Sequence, residues 1–596
     1  MLHKIYKEDY KNYRECAKLS FLLRKENHQK TIQWNDRELT YFFSLPEFGD
    51  ESQKDDLTNI SAPSLELLAG DDYSFTDLEV IDSETILDGL EVGYHAKQYF
   101  LRNYRCFDLD TYEKHLVANK TVEKILDANL EVLFEPRFEY NDCVTKVDVL
   151  KRNGTGWDLI EVKATTKVHR EHLYDVLYQY YILTNCNIEI KNIYLMHLNG
   201  FYFHQGDLEY DNLFTLASKY NLTTTGSKQE NIMVGVKKDL AKRDFNQDVQ
   251  RIKDIFQMPV DETLAWLKTS QCHNRGKYNY CIHVYGKLPK EHTIFNLYRL
   301  VKTKKARLYY EDNFLSLYTS NFFDLNLTTN QYRQIKVVQN LEGVVSLSER
   351  RYLQSIYKEY VYPIYMYDFE TVKSAIPKYE NSAPYEQIPF QYSVHILLDN
   401  KFNEEKHNIK HYSYLADGVK DHRLILVEKL IKDLTQYGIG TYVAYNKSFE
   451  KQVLKKMALL YPIYEEILMQ ISDRTVDLMD FFKNFAIYKA EFNGSFSIKK
   501  TLPAFNPEFS YDDLEVQKGT DASTLFRKRL YNELQKDNNH LFFLKLNNAW
   551  KTISLQRWQD NYVKNLLLYC ERDTYGMVVL FAKISELLQE QGWIEW

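Results

Sequence analysis

The sequence predicts an α/β protein with two structured halves. Three strand patterns, at Glu131–Tyr140, Thr145–Arg152 and Trp157–Thr166, are followed by a helix pattern at Glu171–Thr184. Much later, Tyr362–Thr371 has the apolar run of a buried strand, and a long apolar helix closes the chain. A length of 596 residues is sufficient for roughly four average domains or two large ones.

We place an N-terminal half at residues 1–225, a mainly helical connecting region at 226–355 and a C-terminal half at 356–596. The main boundary falls near residues 357–360, just before the strong strand of the second half. The connecting region contains a basic patch at Arg299–Tyr310 with interleaved aromatic residues. Such a patch fits either a nucleic-acid contact or a solvated surface.

The composition excludes several classes of protein. Only 12 Pro and 20 Gly occur, which argues against a disordered or collagen-like chain. Seven scattered cysteines do not suit a secreted disulfide scaffold. The apolar runs are far shorter than the ~20 residues of a membrane span, and the first residues do not resemble a signal peptide. We therefore expect a cytoplasmic protein with no membrane partner. The net charge of −7 does not by itself indicate a polyanionic ligand.

The first candidate site follows from a predicted hairpin whose turn is Asn153–Gly156. Asp148 lies five residues before this turn and Glu161 five after it, so strand pairing places their carboxylates side by side, ~5 Å apart. Carboxylates at that distance repel each other unless a cation lies between them, and Mg²⁺ prefers such oxygen ligands. Lys163 shares a strand face with Glu161 and can polarise a water or a phosphate oxygen. These are the parts of metal-assisted phosphodiester hydrolysis, although an exposed hairpin with charges on its wet face is the alternative.

The second candidate site combines acids from distant segments of the C-terminal half. Asp368 and Glu370 are two residues apart on one strand and share a face. Glu450 falls in the first turn of a helix that follows a second strand, and it faces back toward the strand ends. Tyr569 and Asp573 are four apart on the closing helix and also share a face. The alternative for the first pair is a strand that simply ends in solvent.

The first constellation resembles the active site of PD-(D/E)XK nucleases, in particular their RecB-like exonuclease branch. Asp148, Glu161, Lys163 and Gln179 match the motifs of that family, with Gln179 in the segment DVLYQYYIL. The resemblance implies that Asp148 and Glu161 bind metal, that Lys163 is catalytic and that Gln179 supports the site. His95, in EVGYHAKQYF, resembles a further metal ligand of the family, or it is a helix residue without that role.

The second constellation resembles the DEDD exonucleases, which have a ribonuclease-H-like fold. The segments DFET, YNKSFEKQVL and YCERD resemble their three motifs, and the tyrosine indicates the Tyr-type branch. The resemblance implies that Asp368, Glu370, Glu450 and Asp573 are metal ligands and that Tyr569 orients the attacking water. The second motif normally ends in Asp, whereas this chain has the longer Glu450.

Longer segments resemble one family, the bacterial domain-of-unknown-function family 2779. They include AIPKYENSAPYEQIPFQYSVHIL, GSFSIKKTLP and EVKATTKVHREHLYDVLYQYYIL. In this family a RecB-like half is fused to a DEDD-like half. Gln387–Gln391 and Lys499–Lys500 near the second site are candidates for contacts to a nucleic-acid strand or for packing.

Three cysteines form a possible metal site. Cys16 resembles the early cysteine of the iron–sulfur cluster of RecB-like relatives, and Cys272 and Cys281 resemble two of the late ones. A fourth cysteine, which such a cluster normally requires, is not found. An iron–sulfur cluster, a zinc ion completed by His273 or His283, and no metal at all remain open.

Together these motifs predict a nuclease with two active sites that depends on Mg²⁺ or Mn²⁺. The N-terminal site would cut or trim nucleic acid, and the C-terminal site would remove nucleotides, 3′ to 5′. DNA is favoured over RNA as the substrate. The alternative is a nucleic-acid-binding or scaffold protein in which one or both sites have degenerated.

Overall fold

The computed structural model describes most of the two halves and, of the connecting region, chiefly its two ends. Cys16, Cys272, Cys281 and all of the basic patch except Arg299 lie outside the described residues, so the predictions for them stay predictions. The described residues are 4–15, 17, 20–21, 83–112, 114–222, 228–259, 262, 266, 292–293, 296–299, 316–318, 327–401, 408–418, 421–509, 514–516, 518–534 and 541–594.

The first half is a mixed α/β unit. Its elements, in chain order, are α1 (Lys7–Glu15), α2 (Glu84–Leu101), β1 (Cys106–Asp108), α3 (Lys114–Ile125), β2 (Val132–Phe134), β3 (Arg137–Tyr140), β4 (Cys143–Lys146), β5 (Val149–Asn153), β6 (Gly156–Lys163), α4 (His172–Asn185), β7 (Ile190–Leu198), α5 (Tyr210–Leu213), β8 (Phe214–Ala217), β9 (Lys219–Asn221), β10 (Gln229–Asn231), α6 (Ile232–Lys242) and α7 (Phe245–Gln257).

A six-stranded mixed sheet organises this half, in the order β1-β2-β5-β6-β7-β8. The predicted hairpin is its centre, since β5 and β6 pair antiparallel from Asn153 opposite Gly156 to Val149 opposite Ile160. Gly154 in the turn has a φ of +60°, a conformation that glycine adopts without strain. β6 then pairs parallel with β7, and α4 makes the crossover between them. The prediction of a hairpin followed by a helix is confirmed.

Two of the predicted strands are broken. Glu131–Tyr140 was expected to be continuous, but β2 ends before Glu135, which has a φ of +59° and precedes Pro136. Proline provides no N–H for a ladder hydrogen bond, so the chain leaves the large sheet there and β3 pairs with β4 alone. Thr145–Arg152 is divided as well. Its first part, β4, pairs with β3 outside the large sheet, and its second part, β5, pairs with β2 within it.

The second half is also mixed α/β. Its elements are α8 (Thr329–Val338), α9 (Arg350–Tyr357), β11 (Ile364–Val372), β12 (Ile388–Leu397), β13 (Ile409–Leu415), α10 (Arg423–Thr435), β14 (Thr441–Ala444), α11 (Ser448–Leu460), α12 (Glu465–Asp473), β15 (Thr475–Asp477), α13 (Ile498–Phe505), α14 (Gly519–Leu534), α15 (Leu541–Trp550), α16 (Leu555–Arg557) and α17 (Val563–Glu590). Short 3₁₀ helices lie at Leu109–Thr111, Leu347–Glu349, Pro462–Tyr464, Leu478–Phe485 and Ala490–Phe492, and a π-helical turn lies at Trp558–Tyr562.

The sheet of this half has the order β13-β12-β11-β14-β15. The first three strands are antiparallel neighbours, whereas β14 and β15 run parallel to β11. β11 is thus central, and all ten residues of β12 are buried because apolar clusters cover both faces of the sheet. One cluster includes the closing helix α17 through residues such as Phe581 and Leu588.

Helices at the two ends of the connecting region pack onto the half that adjoins them. Val236 of α6 and Ile252 of α7 belong to the core of the first half. Val337 of α8 and Leu353 of α9 belong to a core of the second half. The described parts of residues 226–355 are therefore mainly helical, and they extend both halves. Among the described helices, none is both long enough and apolar enough to cross a bilayer.

The segment between β11 and β12, in the second half, packs against the first half. Ala375 and Ile376 are buried in an apolar cluster with Phe100 of α2. Lys378 forms an ion pair with the buried Glu91 of α2. Tyr385 donates a hydrogen bond from its hydroxyl to the backbone oxygen of the residue directly after Lys163, at 2.6 Å. Apolar and polar contacts thus join the strands that bear the two candidate sites.

Gly440, just before β14, gives a test of the close packing between β14 and the start of β11. A Cβ at this position would overlap the backbone carbonyl oxygen of Pro363, an atom that cannot move without disturbing β11. We expect Gly440→Ala to lower the free energy of unfolding by about 1–3 kcal/mol, measured by urea denaturation. Gly89→Ala is the control, because Gly89 is exposed on α2 with open space around it. Alanine there should stabilise by up to about 1 kcal/mol. Equal stabilities of the two variants would contradict the packing described.

Candidate metal centres

Three carboxylates from two distant segments meet in the second half. Asp368 and Glu370 project from the same face of β11, and Asp573 comes from α17, which packs across β11 and β12. One carboxylate oxygen of each lies within 4.8 Å of those of the other two. Glu370 is buried, whereas Asp368 and Asp573 are partly exposed, so solvent reaches one side of the cluster. The structure thus brings together three of the four predicted ligands as one group.

Glu450, the fourth predicted ligand, comes from the first turn of α11 and is not part of the group of three. It is only 3% exposed, and Asp368 is its main charged neighbour. Burial, together with the negative charge of Asp368, raises the pKa of Glu450 well above its usual range. Its Oε2 atom is buried and has no hydrogen-bond partner in the described chain. A buried oxygen of this kind is costly unless a proton or a cation neutralises it.

Asp477 holds the loop that leads to Glu450, a role that the sequence analysis missed. It ends β15, is 3% exposed, and accepts hydrogen bonds from the backbone N–H groups of Asn446 (2.9 Å) and Met479 (3.1 Å). Burial and the neighbouring charge of Asp480 raise the pKa of Asp477. An aspartate at a strand end is too common in sequences to be a signal, and its contact with Asn446 arises only when β14 and β15 pair.

Tyr569 lies one helical turn before Asp573 on α17, as the spacing predicts. Its side chain is 2% exposed, and Lys499 of α13 reaches its hydroxyl at 3.4 Å and its ring centroid at 5.5 Å. The thiol of Cys570, the next residue along α17, is buried. Burial and the charges of Asp368, Glu370 and Asp573 raise the pKa of this thiol well above its usual value. The negative field of the cluster therefore extends into the helix that carries Tyr569.

The first half brings Asp148 and Glu161 together as the hairpin register requires. Asp148 lies one residue before β5, so continuing the register places it opposite Glu161, and its Oδ2 accepts a hydrogen bond from the N–H of Val162 at 2.6 Å. Burial and the charge of Glu161 raise the pKa of Asp148 well above its usual value. Gln179 of α4 donates from Nε2 to Oε2 of Glu161 at 2.6 Å. The predicted Asp, Glu and Gln are therefore neighbours.

Two lysines that the sequence analysis did not foresee, Lys7 and Lys11, join the predicted Lys163 at this site. Lys7 of α1 lies 3.0 Å from Oε1 of Glu161, and Lys163 lies 3.0 Å from the same oxygen. Although burial opposes the change, these two ammonium groups lower the pKa of Glu161 to about 2. Lys163 also reaches Asp175 of α4 at 2.8 Å, and Lys11 reaches Asp175 at 3.0 Å. The first site is thus a network of buried ion pairs.

His95 is not brought to the Asp148–Glu161 pair. It lies on α2 with its Nδ1 atom 3.2 Å from the hydroxyl of Tyr210, and its nearest charged neighbours are Glu91 and Lys378. Burial, the largest effect, lowers the pKa of His95 to about 4. In the described chain, the groups of three or more residues that could hold a metal do not include His95. The direction of α2 explains this, because the helix turns this face toward α5 and the second half.

The raised pKa of Glu450 makes a pH-dependent prediction. A carboxyl group with a folded-state pKa above its unfolded value of 4.5 binds its proton more tightly when folded. Stability without metal should then fall as the pH rises above about 4.5, by up to about 1.4 kcal/mol per pH unit. We expect Glu450→Gln to remove this part of the decline, because glutamine stays neutral. The measurement is urea denaturation from pH 5 to 8 with a chelator. Glu466→Gln, an exposed position on α12, is the control, and parallel curves for wild type and Glu450→Gln would refute the prediction.

Comparisons with known proteins give a family match over part of the chain and no activity. Residues 365–497 match the family described as "Domain of unknown function (DUF2779)". The chain is 23% identical to the uncharacterized protein MG366 of Mycoplasma genitalium, over 81% of this chain and 82% of that protein. It is 22% identical to the uncharacterized protein UU173 of Ureaplasma parvum, over 86% and 87%. A homolog of MG366 in Mycoplasma pneumoniae is 27% identical, over 53% of this chain and 46% of that protein.

No solved structure matches the chain. The matched residues 365–497 contain β11, with its Asp-x-Glu pair, and Glu450, so the family match covers three of the four clustered acids. The relatives extend the similarity over most of the chain, including the first half. These comparisons support the DUF2779 family for this chain.

Proposed function

We propose that this chain is a divalent-metal-dependent nuclease, and that the cluster of Asp368, Glu370, Glu450 and Asp573 is its principal active site. The observation that carries the proposal is the meeting of Asp368, Glu370 and Asp573 from two distant segments, with the buried Glu450 in the field of Asp368. Folding that forces four acids together is unfavourable without a counter-ion. The mixed sheet, with three antiparallel strands followed by two parallel ones, also suits the expected ribonuclease-H-like half.

The residues present fit hard cations. Every metal-ligand atom that these residues offer is a carboxylate oxygen, which Mg²⁺ and Mn²⁺ prefer. The buried Oε2 of Glu450 has no hydrogen-bond partner in the described chain and could serve as such a ligand. Such ions, when bound, polarise a phosphodiester and lower the pKa of a water. The partly exposed Asp368 and Asp573 lie on the side that a phosphate group can approach.

Tyr569 and Lys499 supply the polar groups beside the acids. Because Tyr569 is buried and Lys499 contacts its hydroxyl, the phenol is held in one orientation. A fixed hydroxyl is suited to orient a water for attack, which is the role that the resemblance to Tyr-type DEDD exonucleases implies. The ammonium group of Lys499 is placed to attract a phosphate. As in the sequence analysis, DNA is favoured over RNA as the substrate, and nucleotides would be removed in the 3′ to 5′ direction.

Asp368→Asn provides the direct test. Loss of one metal-binding carboxylate should reduce release of labelled nucleotides from 3′-labelled single-stranded DNA at least about 100-fold, since metal ions contribute several kcal/mol to transition-state stabilisation. The assay uses the full chain with Mn²⁺ or Mg²⁺, and 5′-labelled DNA and RNA establish polarity and sugar preference. Glu466→Gln is the matched control. Activity of Asp368→Asn equal to that of the control would overturn the proposal for this site.

The ion pairs of the first half favour a second candidate role for this half, one without catalysis. Lys7, Lys11 and Lys163 neutralise Glu161 and Asp175, so these acids already have counter-charges. A cation at Glu161 would have to displace the ammonium group of Lys7. This favours a first half that has lost catalysis and binds nucleic acid or holds the structure together, while the site in the second half remains active. Retention of endonucleolytic products in Asp368→Asn, and their loss in Lys163→Ala, would instead establish a second active site.

Lys7→Met examines the same question through stability. Removing one ammonium group from the buried Glu161 should cost about 1–3 kcal/mol at pH 7, because Lys163 and Gln179 compensate only in part. If Lys7 occupies the place of a cation, Mn²⁺ should stabilise Lys7→Met more than it stabilises the wild type. Thermal unfolding with and without Mn²⁺ measures both effects. Lys4→Met, which removes a more exposed ion pair with Glu139, is the control and should cost at most about 1 kcal/mol.

A further inference from the structure

Two histidines and a glutamate form a separate group beside the carboxylate cluster. The register of β12 and β13 places His395 directly opposite His411, and their rings stack with centroids 4.4 Å apart. Glu571 comes from α17, which lies across both strands. One possible ligand atom from each of the three lies within 4.8 Å of the other two. Unlike the carboxylate cluster, this group offers imidazole nitrogens.

A chain of hydroxyl groups connects the two rings. The hydroxyl of Thr574 lies 3.1 Å from the backbone oxygen of Glu571 and 3.4 Å from that of Cys570. When Thr574 donates to one of these oxygens, it accepts from His395 Nδ1 (2.8 Å) and from the hydroxyl of Ser393 (2.7 Å). Ser393 then accepts from His411 Nε2 at 3.0 Å. This arrangement of protons satisfies every contact and leaves the lone pairs of His395 Nε2 and His411 Nδ1 available.

Hydrogen bonds of this type are how proteins orient histidines that bind metals. A ligating histidine normally donates its second N–H to a fixed acceptor, which sets the tautomer and the direction of the ring. Here both rings have such an acceptor, and His395 is only 4% exposed.

The separation between His411 and Glu571 also suits two ligands of one metal ion. Nδ1 of His411 lies 3.8 Å from Oε1 of Glu571, which is too long for a hydrogen bond. It is near the ~3.3 Å that separates two ligands of one tetrahedral zinc ion with bonds of about 2.0–2.1 Å. The side chains of His411 and Glu571 are 28% and 43% exposed, so water can supply a fourth ligand.

We propose that His395, His411 and Glu571 bind a transition-metal ion of the zinc class. Two imidazoles and one carboxylate suit Zn²⁺ better than the harder Mg²⁺. The ion would fasten α17 to β12 and β13, and α17 also carries Tyr569 and Asp573. Ser393 pairs with Asp368 in the β11–β12 register, so the two metal sites share neighbouring residues but no ligands. The proposal is independent of nuclease activity.

Cobalt titration tests this proposal, because Co²⁺ replaces zinc and absorbs visible light in a tetrahedral site. The metal-free full chain is titrated with Co²⁺ in excess Mg²⁺, which occupies carboxylate sites without colour. We expect one equivalent of Co²⁺ to give visible bands, Zn²⁺ to displace it, and Zn²⁺ to raise the unfolding temperature. His411→Ala should weaken binding at least about 100-fold, and Glu571→Gln about 10-fold or more.

Controls separate this site from the other candidates. Asp368→Asn, which damages the carboxylate cluster, and His169→Ala, in the first half, should leave the cobalt spectrum unchanged. Both His411 and Glu571 are partly exposed, so their variants should fold, which circular dichroism verifies. The proposal is overturned if the wild type does not bind Co²⁺, if His411→Ala and Glu571→Gln bind it as the wild type does, or if strong near-ultraviolet thiolate bands show that cysteines are the ligands.

Discussion

Repulsion between carboxylates in places with little water is the constraint on which both candidate sites depend. Asp368 and Glu450 are held in contact by β11 and α11, and Asp148 and Glu161 by the β5–β6 hairpin. In each pair, one member has a pKa raised well above its ordinary value. The apolar cores on both faces of each sheet provide the stabilisation that offsets this repulsion.

The two halves meet this constraint in different ways. In the first half, lysines from α1 and β6 neutralise Glu161, and its pKa falls instead of rising. In the second half, burial and the charge of Asp368 raise the pKa of Glu450, and its buried Oε2 remains without a hydrogen-bond partner among the described residues. Glu161 already has fixed ammonium groups as counter-charges, whereas the Oε2 of Glu450 is left for a cation to neutralise. This difference makes the second half the better candidate for catalysis.

The sequence predicts those parts of the sites that depend on short-range geometry. The Asn153–Gly156 turn determines the pairing of Asp148 with Glu161, and the helix period places Tyr569 one turn from Asp573. Longer-range contacts could not be predicted in this way. Lys7 reaches Glu161 across 154 positions because α1 packs against α4, and the pairing of His395 with His411 depends on the β12–β13 register. The breaks near Pro136 were missed because strand periodicity outweighed a single proline.

The contacts that the segment between β11 and β12 makes with the first half have a consequence for how this protein can be divided. The segment begins three residues after Glu370, and its Tyr385 donates a hydrogen bond to the backbone just beyond Lys163. Ala375 and Ile376 lose their apolar surroundings if the first half is removed, and Glu91 loses its lysine. The two halves are therefore not interchangeable modules. Evolution or engineering that exchanges one of them must replace the surface of the other as well.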